Sequence, residues 1–191
     1  MTCIVGWIQD GDVYIGGDSA CSSGYDIHIH AEDDTKVFRN GEMIFGTSGS
    51  IRLRQILQYS LVIPHHSVEK RTYQYLCTDF IDAIRQCLKD KGHTRIKDNE
   101  ESQSGIFLLG YRGCLYSIES DFQVSKWMWN YSATGCAEDY ALGALYLLNK
   151  YSLDKTPEEK LVEALEVASN FSAYVKPPFN IIKLECQKEN E

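Results

Sequence analysis

Two dipeptides, Asp10-Gly11 and Asn40-Gly41, constrain this chain more than any other feature. Each separates two runs rich in β-branched and aromatic residues. Cys3-Ile4-Val5-Gly6-Trp7-Ile8 precedes the first, and Asp12-Val13-Tyr14-Ile15-Gly16-Gly17-Asp18 follows it. Thr35-Lys36-Val37-Phe38-Arg39 and Glu42-Met43-Ile44-Phe45-Gly46 flank the second. An Asx-Gly pair supplies the positive φ that a two-residue hairpin turn requires, so two hairpins are predicted. The chain thus enters a sheet at its first residues, which ties its N-terminal end down.

Beyond Gly46-Thr47-Ser48-Gly49-Ser50 the hydrophobic period changes. Ile51, Leu53, Ile56, Leu57 and Tyr59 fit a helix that starts at a Ser cap and is broken by Pro64-His65-His66. Tyr73, Leu76, Phe80, Ile81, Ile84 and Leu88 predict a second, longer amphipathic helix ended by Gly92. The polar stretches Ser19 to Asp34 and His93 to Gln103 read as connections. Ile106 to Tyr111 and Cys114 to Ile118 read as paired strands around Arg112-Gly113, and Val124 to Thr134 as further strand. A third helix runs over Tyr140 to Leu148. Thr156-Pro157-Glu158-Glu159 opens a fourth, because proline suits the first helical position. Pro177-Pro178 stops it, and Phe179 to Cys186 closes as a strand. Strands and helices in separate blocks predict an α+β fold, two packed antiparallel sheets with helices outside. No repeat or linker interrupts it, so residues 1–191 are expected to form one domain.

Composition narrows the function. Lys plus Arg number 19 against 27 Asp plus Glu, a formal charge of -8. Duplex-binding and membrane-surface proteins want clustered cations, so neither a nucleic-acid nor a membrane partner is expected. Glu32-Asp33-Asp34, Asp98 to Glu101 and Glu189-Asn190-Glu191 read as solvated loops and a tail. The 7 cysteines are odd in number and form no CxxC pair, which fits reduced thiols in a cytoplasmic protein. The start lacks a basic region and long apolar run of a signal peptide, and no apolar stretch is long enough to span a membrane.

Met1-Thr2-Cys3-Ile4-Val5, the Asp10-Gly11 hairpin, Gly16-Gly17-Asp18-Ser19, Thr35-Lys36-Val37, Gly46-Thr47-Ser48-Gly49 and Thr134-Gly135-Cys136-Ala137 follow one another in a familiar order and spacing. In this the chain resembles the N-terminal-nucleophile hydrolases of the proteasome β-subunit type. It resembles still more the bacterial HslV peptidase, the proteolytic half of a two-component ATP-dependent protease. The match is specific over the first fifty residues and loose between Pro64 and Gln103. The resemblance implies a four-layer αββα sandwich. It also implies a threonine-type peptidase acting on peptides or unfolded proteins, self-associated into rings and fed by an ATP-dependent unfoldase.

The chemistry needs few parts. A threonine exposed by removal of Met1 has a hydroxyl to attack a carbonyl and an α-amine to take the proton. Such an amine has a pKa of about 7.7–8.0, and a neighbouring cation lowers it toward the free base. By resemblance Thr2 is the nucleophile and base, Lys36 the neighbouring cation, Asp18 the carboxylate that orients it, and Gly49 an oxyanion N–H donor. Taken singly, Lys36 reads as a surface lysine, Asp18 as a turn residue and Gly49 as a bend; their conjunction carries the expectation.

Three positions depart from the family. Cys136 stands where a serine is usual, and Asn170 and Ala173 stand where the proteasome branch has aspartate and serine. Cys136 and Asn170 are kept as candidate site residues that hydrogen-bond near the amine. Cys3 is a second candidate nucleophile if Thr2 too were removed. His28-Ile29-His30 and His65-His66 are expected to be exposed loop histidines rather than metal ligands, and Trp127-Met128-Trp129 to pack in core or interface. No phosphate loop or cofactor motif occurs. Two rival readings stay open: a small-molecule amidase using the same site, and a catalytically inactive proteasome-like scaffold.

Overall fold

The computed structural model describes residues 2–23, 26–152 and 154–186. Met1 and the acidic tail Glu189-Asn190-Glu191 lie outside them. Both predicted hairpins form. β1 (Cys3–Gln9) pairs antiparallel with β2 (Asp12–Gly17), and the turn between them has φ 54° at Asp10 and 85° at Gly11. β5 (Val37–Asn40) pairs with β6 (Met43–Gly49), but the turn lies one residue later than the Asn-Gly signal: Asn40 pairs with Met43 and Gly41-Glu42 makes the turn, with φ 57° at Gly41.

Two sheets organise the rest. The four-stranded sheet has the order β12-β1-β2-β13, with β12 spanning Tyr131–Gly135 and β13 Asn180–Leu184. The five-stranded sheet has the order β11-β10-β9-β6-β5, with β9 at Gly105–Tyr111, β10 at Cys114–Ile118 and β11 at Val124–Lys126. The single strand-like stretch predicted from Val124 to Thr134 is therefore two strands in different sheets. Trp127-Met128-Trp129 carries the chain from one sheet to the other. Periodicity cannot show this, since β11 is only three residues long and the tryptophans lie in the link itself.

Each sheet carries an apolar face toward helices. α1 (Ile51–Tyr59) is capped by Ser50 Oγ, which accepts from Leu53 N at 3.3 Å. α2 (Thr72–Tyr75), one π-helical turn (Leu76–Phe80) and α3 (Ile81–Asp90) run on without a break. Leu53, Ile56, Leu57, Phe80, Ile84 and Leu88 from these helices pack with Phe45, Phe107 and Tyr116 of the five-stranded sheet. Burying each such side chain contributes about 1.5–3 kcal/mol. α4 (Glu138–Tyr151) and α5 (Pro157–Phe171) cover the four-stranded sheet, where Ala141, Leu145, Leu161 and Leu165 meet Val5, Trp7 and Tyr14. α5 opens with the expected proline inside a capping box: Glu159 N donates to Thr156 Oγ1 at 3.2 Å, and Thr156 N to Glu159 Oε2 at 2.8 Å. A third cluster joins the sheets to each other, Ile4, Val13 and Ile15 against Val37, Ile44, Leu108 and Leu115.

Two predicted connections turn out to hold ribbons. β3 (Ala20–Ser23) and β4 (Asp26–Ile29) pair within the Ser19 to Asp34 stretch. β7 (Arg95–Lys97) and β8 (Glu100–Ser102) pair within His93 to Gln103 around Asp98 and Asn99, both at positive φ. Both ribbons are short and set in polar stretches; Asp26-Ile27-His28-Ile29 alternates over only four residues, all of them exposed, too little to announce a strand. No described helix is long and apolar enough to cross a membrane.

Candidate active site

Antiparallel order brings the starts of β1, β5 and β9 to the same rim as the ends of β2, β6 and β12. Thr2 stands just before β1, Asp18 just after β2, Lys36 just before β5, and Gly49 ends β6. Thr2, Lys36 and Gly49 line one small cleft of about 20 Å³, together with His30, Thr47, Ser50, Ile51 and Arg54. Residues from the two sheets thus meet at Thr2.

Asp18 holds the arrangement. It is wholly buried and accepts four hydrogen bonds. Lys36 Nζ donates to Oδ1 at 2.8 Å and Cys3 N to Oδ1 at 3.0 Å. Ala20 N donates to Oδ2 at 2.9 Å and Lys176 N at 3.3 Å. A buried carboxylate is tolerable only when so supplied. Burial holds the Lys36 ammonium below the ordinary lysine pKa, against the opposing pull of Asp18.

Gly49 has φ 104°, and a Cβ there would stand 2.6 Å from the Ser104 carbonyl oxygen, so only glycine fits. Gly135 is bound more tightly still: with φ 109°, its Cβ would fall 2.2 Å from the Thr2 carbonyl oxygen. That close approach lets β12 run alongside Thr2, and Cys136 Sγ donates to the same Thr2 oxygen at 3.5 Å. Asn170 is exposed in the last turn of α5 and does not line the cleft.

Cys3, the second candidate nucleophile, is wholly buried in the core under α4 and α5. Burial, then the neighbouring Asp18 and Cys136, push its thiol up to about 12, so it holds essentially no thiolate at neutral pH.

Two polar residues of the cleft, His30 and Arg54, and Asp34, which binds both, were missed in the sequence. His30 was expected to be an exposed loop histidine; its side chain is 9% exposed, and its Nδ1 lies 2.8 Å from Asp34 Oδ2. Asp34 was expected in a solvated acidic loop. Its side chain is 46% exposed and also pairs with the buried Arg54 guanidinium, whose Nη1 donates to the Asp34 carbonyl at 3.1 Å. Burial raises the Asp34 pKa, but Arg54 and His30 outweigh it and hold the carboxyl below its usual range. The signal for Arg54 was legible: it sits on the apolar face of α1 with Leu53, Ile56 and Leu57. The other histidines diverge. His28 and His65 are exposed, whereas His66 is buried between Tyr111 Oη at 2.9 Å and the Lys70 carbonyl at 2.7 Å. Among the described residues no group of three His, Cys, Asp or Glu is placed to hold a metal ion.

Neither a protein-family model nor a curated protein matches the sequence. Solved structures do match. The BPH protein of Thiobacillus denitrificans in complex with epoxomicin is similar at TM-score 0.81 and 17% identity, over 98% of this chain and 100% of that one. The eukaryotic HslV of Trypanosoma brucei is similar at TM-score 0.66 and 15% identity, over 96% of this chain and 99% of that one. Anbu from Yersinia bercovieri, described as an ancestral β-subunit, is similar at TM-score 0.61 and 13% identity, over 96% of this chain and 81% of that one. The chain shares the fold of these proteasome-related N-terminal-nucleophile proteins.

Proposed function

We propose that the chain is a threonine-type peptidase whose nucleophile is Thr2, freed by removal of Met1, within a single four-layer αββα domain. One observation carries this: Thr2, Lys36 and Gly49 share a cleft at the rim where the two sheets meet, with Lys36 fixed on buried Asp18 at 2.8 Å.

In this reaction the Thr2 hydroxyl attacks the scissile carbonyl and passes its proton to the Thr2 α-amine, directly or through a water. The Lys36 ammonium lowers the pKa of that amine and so favours its free-base form. The oxyanion that forms takes the Gly49 N–H, a type of contact worth roughly 3–4 kcal/mol. The C–N bond breaks, the departing amine carries off the proton, and an ester to Thr2 remains for water to cleave. Cys136 contributes by fixing the Thr2 carbonyl. Asn170, exposed and off the cleft, has no step.

The substrates would be peptides or unfolded proteins. Self-association into rings is supported by the exposed Tyr146, Leu147 and Tyr151 of α4 and Phe171 of α5. A separate ATP-dependent unfoldase and a cytoplasmic setting complete the proposal, the latter in keeping with the free cysteines.

The test is incubation of protein with a native N-terminus with epoxomicin, the compound in the Thiobacillus denitrificans BPH complex, and with a peptide β-lactone. Intact mass and peptide mapping should place an adduct on Thr2, and Thr2→Ala should lose both the adduct and peptide hydrolysis. A folded protein with free Thr2, no adduct and no hydrolysis would leave the scaffold reading in its place. Cleavage of short acyl amides with peptides spared would leave the small-molecule amidase.

A further inference from the structure

A second cavity, of about 310 Å³, wraps the edge strand β12 and is lined by neither Thr2 nor Lys36. Its walls include Trp127, Trp129, Tyr131, Ser117, Glu119 and Glu138. Trp127 and Trp129 are 51% and 58% exposed, so the expected core or interface packing is at most half realised within one chain.

These indoles are exposed yet held. Trp127 Nε1 donates to Ser117 Oγ at 2.7 Å. Trp129 stacks on Tyr131 with ring centres 5.8 Å apart and planes 12° apart, and Tyr131 stacks in turn on buried Trp7 at 5.6 Å. An aromatic surface anchored to the core in this way loses little freedom when a ligand covers it.

The two carboxylates come from separate elements, Glu119 from the loop after β10 and Glu138 from the first turn of α4. Burial raises the pKa of both. Asp121 and Glu138 add to the rise at Glu119, and at Glu138 the Gly135 N–H bond opposes it. Among the described residues no lysine, arginine or histidine forms an ion pair with either. Half-withdrawn carboxylates with no counter-cation sit at an unfavourable place that a cation would relieve. An anion would be repelled, and a neutral apolar guest would deepen their desolvation. A hard divalent ion wants a shell of oxygen ligands, which indole walls do not give. An organic cation satisfies both kinds of wall, since the faces of Trp rings attract it as well.

We propose that this cavity binds an organic cation of the guanidinium or ammonium class, as on an arginine or lysine side chain, with Trp127 and Trp129 as cation–π walls and Glu119 and Glu138 as counter-charges. The volume sits at the lower end of the range for small-ligand sites, about 300–1,000 Å³, and suits the end of one side chain.

Binding here does not need the peptidase reaction, and the test is run on Thr2→Ala protein so that cleavage cannot enter. Nα-acetyl-arginine amide is titrated while the indole N–H resonances of the three tryptophans are followed, with Nα-acetyl-norleucine amide as the neutral control. Saturable shifts are expected at Trp127 and Trp129 and none at Trp7. The double variant Glu119→Gln, Glu138→Gln keeps the indole walls and should bind about tenfold more weakly, in keeping with the loss of two partly screened charge pairs. An unmoved Trp7 resonance shows that this variant is folded. Tighter binding of the same arginine inside a pentapeptide identifies a polypeptide source for the cation, and equal binding a small molecule. The proposal is overturned if the norleucine amide binds comparably, if Trp127 and Trp129 do not shift, or if the folded double variant binds as tightly as its parent.

Discussion

The Asp18–Lys36 pair is open to a double-mutant cycle whose outcome follows from its geometry. Asp18→Asn keeps the shape and removes the charge, leaving an ammonium that is 7% exposed facing an amide. Removing one partner of a buried pair costs about 3–5 kcal/mol. Lys36→Met is milder. The carboxylate it leaves behind still accepts from Cys3, Ala20 and Lys176 at 3.0, 2.9 and 3.3 Å. Charge-assisted bonds of this kind contribute about 1.5–3 kcal/mol each, so roughly 1–3 kcal/mol is expected for Lys36→Met. In the double variant both buried charges are gone, and its cost should fall short of the sum of the singles by roughly 2–3 kcal/mol. Urea unfolding followed by tryptophan fluorescence supplies all four free energies, provided the slopes agree. Additivity within about 0.5 kcal/mol would refute the claim that the two charges neutralise each other in the fold. A Lys36→Met variant less stable than Asp18→Asn would refute the claim that backbone donors carry the carboxylate.

Other expectations concern stability and reactivity. Gly143 lies in α4 with open space where a Cβ would go, so Gly143→Ala should raise stability by about 0.5–1 kcal/mol in urea. Thr156→Ala, which dismantles the capping box of α5, should lower it by about 1 kcal/mol in the same assay. Glu119 has a folded pKa above its ordinary value, chiefly through burial, so its ionisation opposes folding. The folded state binds the extra proton, hence stability falls as pH rises from the unfolded toward the folded pKa. Glu119→Gln should therefore raise the melting temperature at neutral pH, and the gain should vanish below about pH 4, under the unfolded glutamate pKa. Iodoacetamide on the native protein should label the exposed Cys77, Cys136 and Cys186 and spare Cys3, whose thiol lies at about 12; peptide mass mapping reads this directly.

Local chemistry made much of the fold legible. Turn positions that need positive φ announced the hairpins, and Thr156-Pro157 announced the start of α5. What stayed hidden depends on contacts that sequence neighbours do not encode. The ribbons β3-β4 and β7-β8 are short, and their few large apolar residues, Ile27, Ile29 and Ile96, are exposed, so nothing in the sequence sets them apart from the polar loops around them. Nothing within Val124 to Thr134 tells that its two halves join different sheets. At the candidate site, Thr2, Asp18, Lys36 and Gly49 were named from resemblance alone; the structure gathers Thr2, Lys36 and Gly49 at one cleft and pairs Lys36 with Asp18. His30 and Asp34 were not legible, because an acidic loop looks solvated until its partner is known. That partner, Arg54, arrives from a helix twenty residues later on the core-facing side of α1.

Asp18 does two things with one carboxylate, and this limits what a loss of activity can mean. Its Oδ1 takes both Lys36 and the N–H of Cys3, so it fixes the lysine and the first strand residue together. An inactive Asp18→Asn variant would be equally explained by a displaced N-terminus. Lys36→Met separates the roles, since Asp18 keeps its backbone donors and still holds Cys3. If Lys36 acts by charge on the Thr2 α-amine, removing it raises that amine's pKa toward the ordinary value of about 7.7–8.0. The proposed reaction needs the free amine, so the acid limb of the kcat/KM profile should move to higher pH, and residual activity should recover as pH rises. An acid limb that stays in place while activity falls at every pH would show that Lys36 shapes the cleft rather than tunes the base.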